Sequence, residues 1–234
     1  MRKLATLGRA PRPPGRVING RAFDEIALDR IAGYVASEGR LLSAKTEIRM
    51  EVRNEVFISV DIETSGPIPG VYSMLSIGAC LVDRPETIFE CTLKPLNRNA
   101  DLEALAVTGF SLADLELSGA EPRQAMTEFD MWIKAARGEG GTAVFVGLNA
   151  PFDWSFINYY FHNFYGENPF GFTALDIKAY YMGVTGSSWT ETRSSVMASR
   201  LGPAHKANHN AVQDAVYQAE LFRLTRQLGR KSKL

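Results

Sequence analysis

Cysteine is scarce in this chain. There are two in 234 residues, Cys80 and Cys91, both in apolar, strand-like runs and without CxxC spacing. That argues against a disulfide-built fold and against a thiolate metal site, and reads as two reduced thiols in a reducing, cytoplasmic compartment. Long apolar runs are lacking as well. None approaches the roughly 20 residues that a membrane-spanning helix needs, so no membrane partner is expected. Net charge is also missing: 26 Lys and Arg balance 26 Asp and Glu, which excludes a global basic field of the kind that draws polyanions. The balance is uneven along the chain, with eleven basic against six acidic residues over 1–53 and an acidic excess beyond. What is present, 45% hydrophobic and 22% charged residues, suffices for one domain with a substantial core.

The first 54 residues read as a basic N-terminal extension. The stretch MRKLATLGRAPRPPGRVINGRAF has no hydrophobic leader core, and its three prolines and three glycines oppose a continuous amphipathic helix. It is expected to be a flexible basic tail rather than a transit peptide. Helical spacing of Phe23, Ile26, Ala27, Ile31, Tyr34 and Val35 predicts a helix over 22–38.

From residue 55 the pattern changes. Val56–Val60, Leu75–Val82 and Thr87–Lys94 read as strands, with a turn at Asp83–Glu86. A helix is expected from about Glu121 to Ala136, with Pro122 in its first turn. Thr142–Leu148 is another strand, Phe152–Phe164 is helix-like, and Phe172–Leu175 is a short strand. Two further helices follow, the last from about Asn210 to Leu228, and residues 229–234 form a basic tail. The order β-β-β-α-β-α-β-α-α predicts an α/β fold, a mixed sheet with helices on both faces.

Four acids and one histidine stand beside these apolar segments. Asp61 and Glu63 end the first strand (VFISVDIETSG); being two apart, they point to the same side. Asp153 (NAPFDWSF) opens a helix after the fourth strand, and His209 and Asp214 (HNAVQD) open the last helix. Singly, each has an ordinary explanation: solvated charges at a strand end, an acid in a helix's first turn, a surface histidine. Together they are carboxylates at the edge of a core, costly to hold unless a cation is bound there.

In that order and context, D-x-E-T in a strand, N-A-P-F-D after a later strand and H-x-x-x-x-D opening a late helix, the chain resembles the DEDDh 3′–5′ exonucleases of the ribonuclease H-like superfamily, which include proofreading exonuclease subunits, oligoribonuclease and ribonuclease T. The resemblance spans residues 55–228. It implies two Mg²⁺ or Mn²⁺ ions, with Asp61 shared between them, Glu63 and Asp214 completing one site and Asp153 serving the other. It also implies His209 as the general base and release of nucleoside 5′-monophosphates from the 3′ end of single-stranded DNA or RNA. The position four before Asp214 is Asn210 and not the tyrosine of the related Tyr-type enzymes. Thr64, Ser65, Asn149 and Phe152 are implied as substrate-binding residues. Where many relatives place a wedging Leu, this chain has Pro67, and Ile68 becomes the candidate wedge. An enzyme restricted to short RNA is the alternative within the class, and a non-catalytic nucleic-acid-binding protein is the alternative outside it. Loss of an acid would mark the latter, and all four are present. A homodimer is compatible with the sequence.

Other polar residues rank lower. Asp176 is expected to cap a helix, and His205 is a second candidate base. Most of the aromatic stretch Phe152–Phe164 is expected in the core, with Trp154 or Phe156 the first choice to reach substrate.

Overall fold

The structure is a computed structural model that describes residues 54–231. The helix expected over 22–38 lies outside the described residues. Five strands form one mixed sheet in the order β3-β2-β1-β4-β5: β1 (Glu55–Thr64), β2 (Met74–Leu81), β3 (Arg84–Thr92), β4 (Thr142–Gly147) and β5 (Ala174–Asp176). β1–β2 and β2–β3 are antiparallel, whereas β1–β4 and β4–β5 are parallel. The hairpin between β2 and β3 is tighter than the sequence suggests. Leu81 already pairs with Arg84, so the strand pattern runs through the charged residues expected to turn.

The helices are α1 (Leu102–Thr108), α2 (Leu112–Ser118), α3 (Pro122–Arg137), α4 (Ala150–Tyr160), α5 (Ile177–Thr185), α6 (Ser194–Leu201) and α7 (Ala211–Lys231). A π-type turn, Phe161–Tyr165, prolongs α4. The short helices α1 and α2 were not foreseen. Their N-caps Asp101 and Ser111 accept from the N–H groups of Glu103 and Asp114, but between them they bury only Leu115, so the apolar periodicity is weak. At the other end, α7 runs on through residues 229–231.

Alternation along β1 divides the molecule into two apolar layers. Ile58, Val60 and Ile62 pack with Phe129 and Ile133 of α3 and Phe156, Ile157 and Tyr160 of α4. Cys80, Val146, Ile177, Tyr181, Ala215 and Phe222 form the second layer under α5 and α7. Each fully buried large side chain contributes about 1.5–3 kcal/mol. The helices thus cover both faces, as expected, and β2 is buried along its whole length.

Two features of this packing position the site. β1 pairs with β4 only as far as Ser59–Val146, while it continues beside β2 to Thr64. Asp61 and Glu63 therefore overhang the carboxyl end of β4, where open sheets bind ligands. On the same face, Gly78 of β2, the register partner of Asp61, lies against the start of α7. A Cβ there would fall 2.1 Å from the carbonyl carbon of Ala211, so only glycine lets the helix that carries Asp214 settle on the sheet.

Candidate active site

Asp61, Glu63, Asp153, His209 and Asp214 all line one cleft of about 300 Å³, together with Asn149, Phe152, Ser194, Tyr217 and Gln218. Among the described residues, its walls carry no Lys or Arg. The five residues arrive from three elements at one sheet edge: β1, the start of α4 and the start of α7.

Both helices enter the site through a strained residue. Asn149 (φ 68°) and His209 (φ 62°) are the non-glycine residues with left-handed backbone among the described residues. Such a conformation costs about 1–2 kcal/mol and persists where the surroundings over-determine it. At Asn149, the N-cap of α4, the turn throws Asp153 inward within one helical turn. The next N–H, of Ala150, is held at 2.7 Å by Asp176 Oδ2, while Asp176 Oδ1 caps α5 through Ala179 N–H at 2.7 Å. The capping role expected for Asp176 is therefore doubled. At His209, Asp214 reaches back from the first turn of α7. Its two carboxylate oxygens accept the N–H groups of Asn208 (2.8 Å) and His209 (3.1 Å), fixing the turn that presents the imidazole.

Asp153 Oδ1 accepts the N–H of Ile62 at 3.2 Å, which binds α4 to β1 between the two acids of the strand. Asp61 Oδ1 accepts from Nε2 of Gln218, whose Oε1 accepts the N–H of Leu148 at 2.8 Å. Gln218 escaped sequence reading, although it sits four residues after Asp214 and so on the same helix face. Ser194 and Tyr217 were also missed; their hydroxyls share a hydrogen bond of 2.8 Å.

The electrostatics are those of an uncompensated acid cluster. Burial and the carboxylates of Asp153, Asp214 and Glu63 hold Asp61 well above the usual carboxylate range, against the hydrogen bond from Gln218. Burial and Asp214 raise Glu63 from 4.5 to about 7. Burial raises Asp153 to about 8, with Glu63 and Asp176 adding to it and the Ile62 N–H opposing it. A bound cation would reverse these shifts. One donor atom each from Glu63, His209 and Asp214 lie within 4.8 Å of one another. This donor set, two carboxylates and one imidazole, fits a divalent cation.

The remaining expected residues are placed differently. Asn149 and Phe152 line the cleft, whereas Thr64, Ser65 and Ile68 are not among its walls. The Thr64 hydroxyl donates to Gly66 O, and the Ser65 hydroxyl donates to Asn99 O and accepts from Ser73 N–H. Both hydroxyls are spent on loop backbone, and the Ser65 N–H and carbonyl are taken as well, by Ser73 O at 2.8 Å and Asp101 N–H at 2.7 Å. Ile68, 53% exposed, stands on that loop. Of the aromatic stretch, Phe156 is fully buried and Trp154 packs edge-on against Phe145. Phe152, and neither of those two, lines the cleft. His205 is engaged elsewhere, its Nδ1 2.7 Å from Glu220.

Comparison with known proteins agrees with this geometry. The family model described as "Exonuclease" matches residues 58–222. The 3′-5′ DNA exonuclease Cap18 of Escherichia coli is 54% identical over 185 residues, covering 79% of this chain and 99% of that protein. Among solved structures, the nuclease domain of 3′hExo, a DEDDh family member bound to rAMP, superposes with a TM-score of 0.62 at 14% identity, over 75% of this chain and 94% of that one. E. coli Exonuclease I in complex with a dT13 oligonucleotide gives a TM-score of 0.58 at 16% identity, over 77% of this chain and 43% of that one. With the fold shared by DEDDh enzymes and the family match spanning β1 to α7, this chain belongs to the exonuclease family.

Proposed function

We propose that the chain is a divalent-metal-dependent 3′–5′ exonuclease that removes nucleoside 5′-monophosphates from the 3′ end of single-stranded DNA. The observation that carries this reading is the convergence of four carboxylates and one imidazole in a single cleft whose walls, among the described residues, hold no Lys or Arg. DNA is favoured over RNA by the activity named for the Cap18 relative. Two free cysteines suit a cytoplasmic protein.

Asp61, Glu63, Asp153 and Asp214 would hold two Mg²⁺ or Mn²⁺ ions. When bound, these would neutralise the carboxylates and stabilise charge on the phosphate and the leaving oxygen. His209, presented by the left-handed turn, accepts the proton of the attacking water. Glu63 and Asp214 orient that water beside the imidazole. Phe152 and Asn149 shape the wall against the terminal nucleotide, with Ile68 flanking it from the loop. The water oxygen bonds to phosphorus, the P–O3′ bond breaks, and the shortened strand takes up a proton on its new 3′ hydroxyl.

The test is a 5′-labelled DNA and RNA ladder assay with Mg²⁺ or Mn²⁺. A metal-dependent ladder shortening from the 3′ end, with mononucleotide products, is expected on DNA. No degradation of either polymer with either metal would overturn the enzyme reading, and degradation of only the shortest RNA oligomers would move it to the oligoribonuclease type.

A further inference from the structure

A second cavity, of about 190 Å³, meets the catalytic cleft at Glu63 and His209, the two residues common to both linings. Away from that junction its wall is a polar row across the sheet. Glu63 is the register partner of Ser76, and Ser76 of Thr92 on the outer strand. Thr92 and Glu90, which also line it, are exposed, so the row leads from a buried carboxylate to solvent at the edge of β3. Phe110 and the first residues of α7 close the other sides.

Ser76 is 5% exposed, and its hydroxyl has no hydrogen-bond partner among the described residues. Buried hydroxyls are almost always satisfied, and one facing a polar cavity is satisfied by water. At ~30 Å³ per water the space holds about six. It is too small for a nucleotide, and none of Thr64, Ser65, Ile68, Asn149 or Phe152 lines it.

We propose that this cavity is a hydration site and the entry route of the attacking water, reaching Glu63 and His209 from the β3 side while the nucleic acid fills the main cleft. The proposal rests on the exonuclease reading for its role in the reaction, but not for the presence of water. The water delivered here gives its oxygen to the 5′-phosphate of the released nucleotide. One of its protons passes to His209 and on to solvent.

Ser76→Val puts an apolar branch where the hydroxyl was, and Ser76→Thr restores the hydroxyl. The single-turnover rate of terminal-nucleotide release is expected to fall about tenfold in Ser76→Val, as for groups behind a ligating residue. KM should stay unchanged, and Ser76→Thr should recover most of the rate. Thr92→Leu narrows the exposed mouth without disturbing the interior and should lower the rate in the same way, which keeps the test open should Ser76→Val not fold. A high-resolution crystal structure should show ordered water within hydrogen-bond reach of Ser76 Oγ. Wild-type rates in every variant that folds, or a dry cavity in the crystal, would overturn the proposal. If the wild type proves inactive, the enzyme reading falls while the crystallographic water still decides the hydration site.

Discussion

Gln218 and Asp61, 157 positions apart in sequence, are joined by a side-chain hydrogen bond at the bottom of the catalytic cleft. The same amide accepts the N–H of Leu148 just past the end of β4, so one buried side chain ties α7, β1 and β4 together around the central carboxylate. Replacing Gln218 with Met keeps the volume and removes both bonds. We expect kcat and Mn²⁺ affinity, measured by titration calorimetry, each to fall about 10- to 100-fold, with little change in KM. Equal Mn²⁺ affinity in mutant and wild type would show that Asp61 holds its orientation unaided.

Gly78 governs the approach of the helix that carries Asp214. Gly78→Ala places a methyl against the backbone of Ala211 and Val212, where no flexible side chain can give way. The overpacking should cost about 1–3 kcal/mol, read as a lower urea midpoint at unchanged slope. Activity should drop further than stability alone explains, because the start of α7 moves away from Glu63.

Asp176 joins α5 to the start of α4. Asp176→Ala should cost about 1 kcal/mol for the lost cap and should lower kcat as well, since Ala150 begins the turn that carries Asp153. Asp176→Asn, which keeps one acceptor oxygen, should fall between Ala and wild type. An Asp176→Ala enzyme with lowered melting temperature and full kcat would confine the residue to a structural role.

The raised carboxyls fix the sign of the pH dependence. Folding without metal raises Glu63 from 4.5 to about 7 and Asp153 from 3.8 to about 8. Between those limits the folded chain holds protons that the unfolded chain has released. Their contribution to stability is therefore complete below about 4 and is lost as pH rises to about 8. Metal-free protein should lose melting temperature over that window. Added Mg²⁺ or Mn²⁺, which replaces the protons, should raise the melting temperature more at pH 8 than at pH 5. A metal-induced gain that does not grow with pH would separate the cation site from these carboxylates.

Much of this site was legible in the sequence because the signals were local. Asp61 and Glu63 share a face by strand alternation, and Asp153 and His209–Asp214 open helices after recognisable strand and loop segments. The succession of strands along the chain, though not their order in the sheet, could be anticipated from the alternation of apolar runs and turns, and the β2–β3 turn is shorter than its charged residues suggest. What remained hidden depends on tertiary approach. Gln218 matters because α7 crosses β1 at one particular height. The side cavity exists because Ser76 and Thr92 line up through strand register. The hydroxyls of Thr64 and Ser65 look available in sequence, yet the loop after β1 consumes them. Phe152 and Phe156 are both aromatic and one helical turn apart, and only the packing of α4 decides that the first meets the cleft and the second the core.

The central claim is that the converging carboxylates catalyse hydrolysis through bound metal. It is tested most directly by the rate of terminal-nucleotide release from a 5′-labelled single-stranded DNA by Asp214→Asn beside wild type, in saturating Mg²⁺ and again in Mn²⁺. Asparagine removes the charge but keeps one of the two acceptor oxygens that hold the N–H groups of Asn208 and His209, so the variant is compared with wild type only once circular dichroism shows that it folds alike. A loss of several kcal/mol of transition-state stabilisation corresponds to a rate about a thousandfold lower or less, and that is the predicted result with either metal. A variant that folds as wild type does and degrades DNA at a comparable rate would contradict the account.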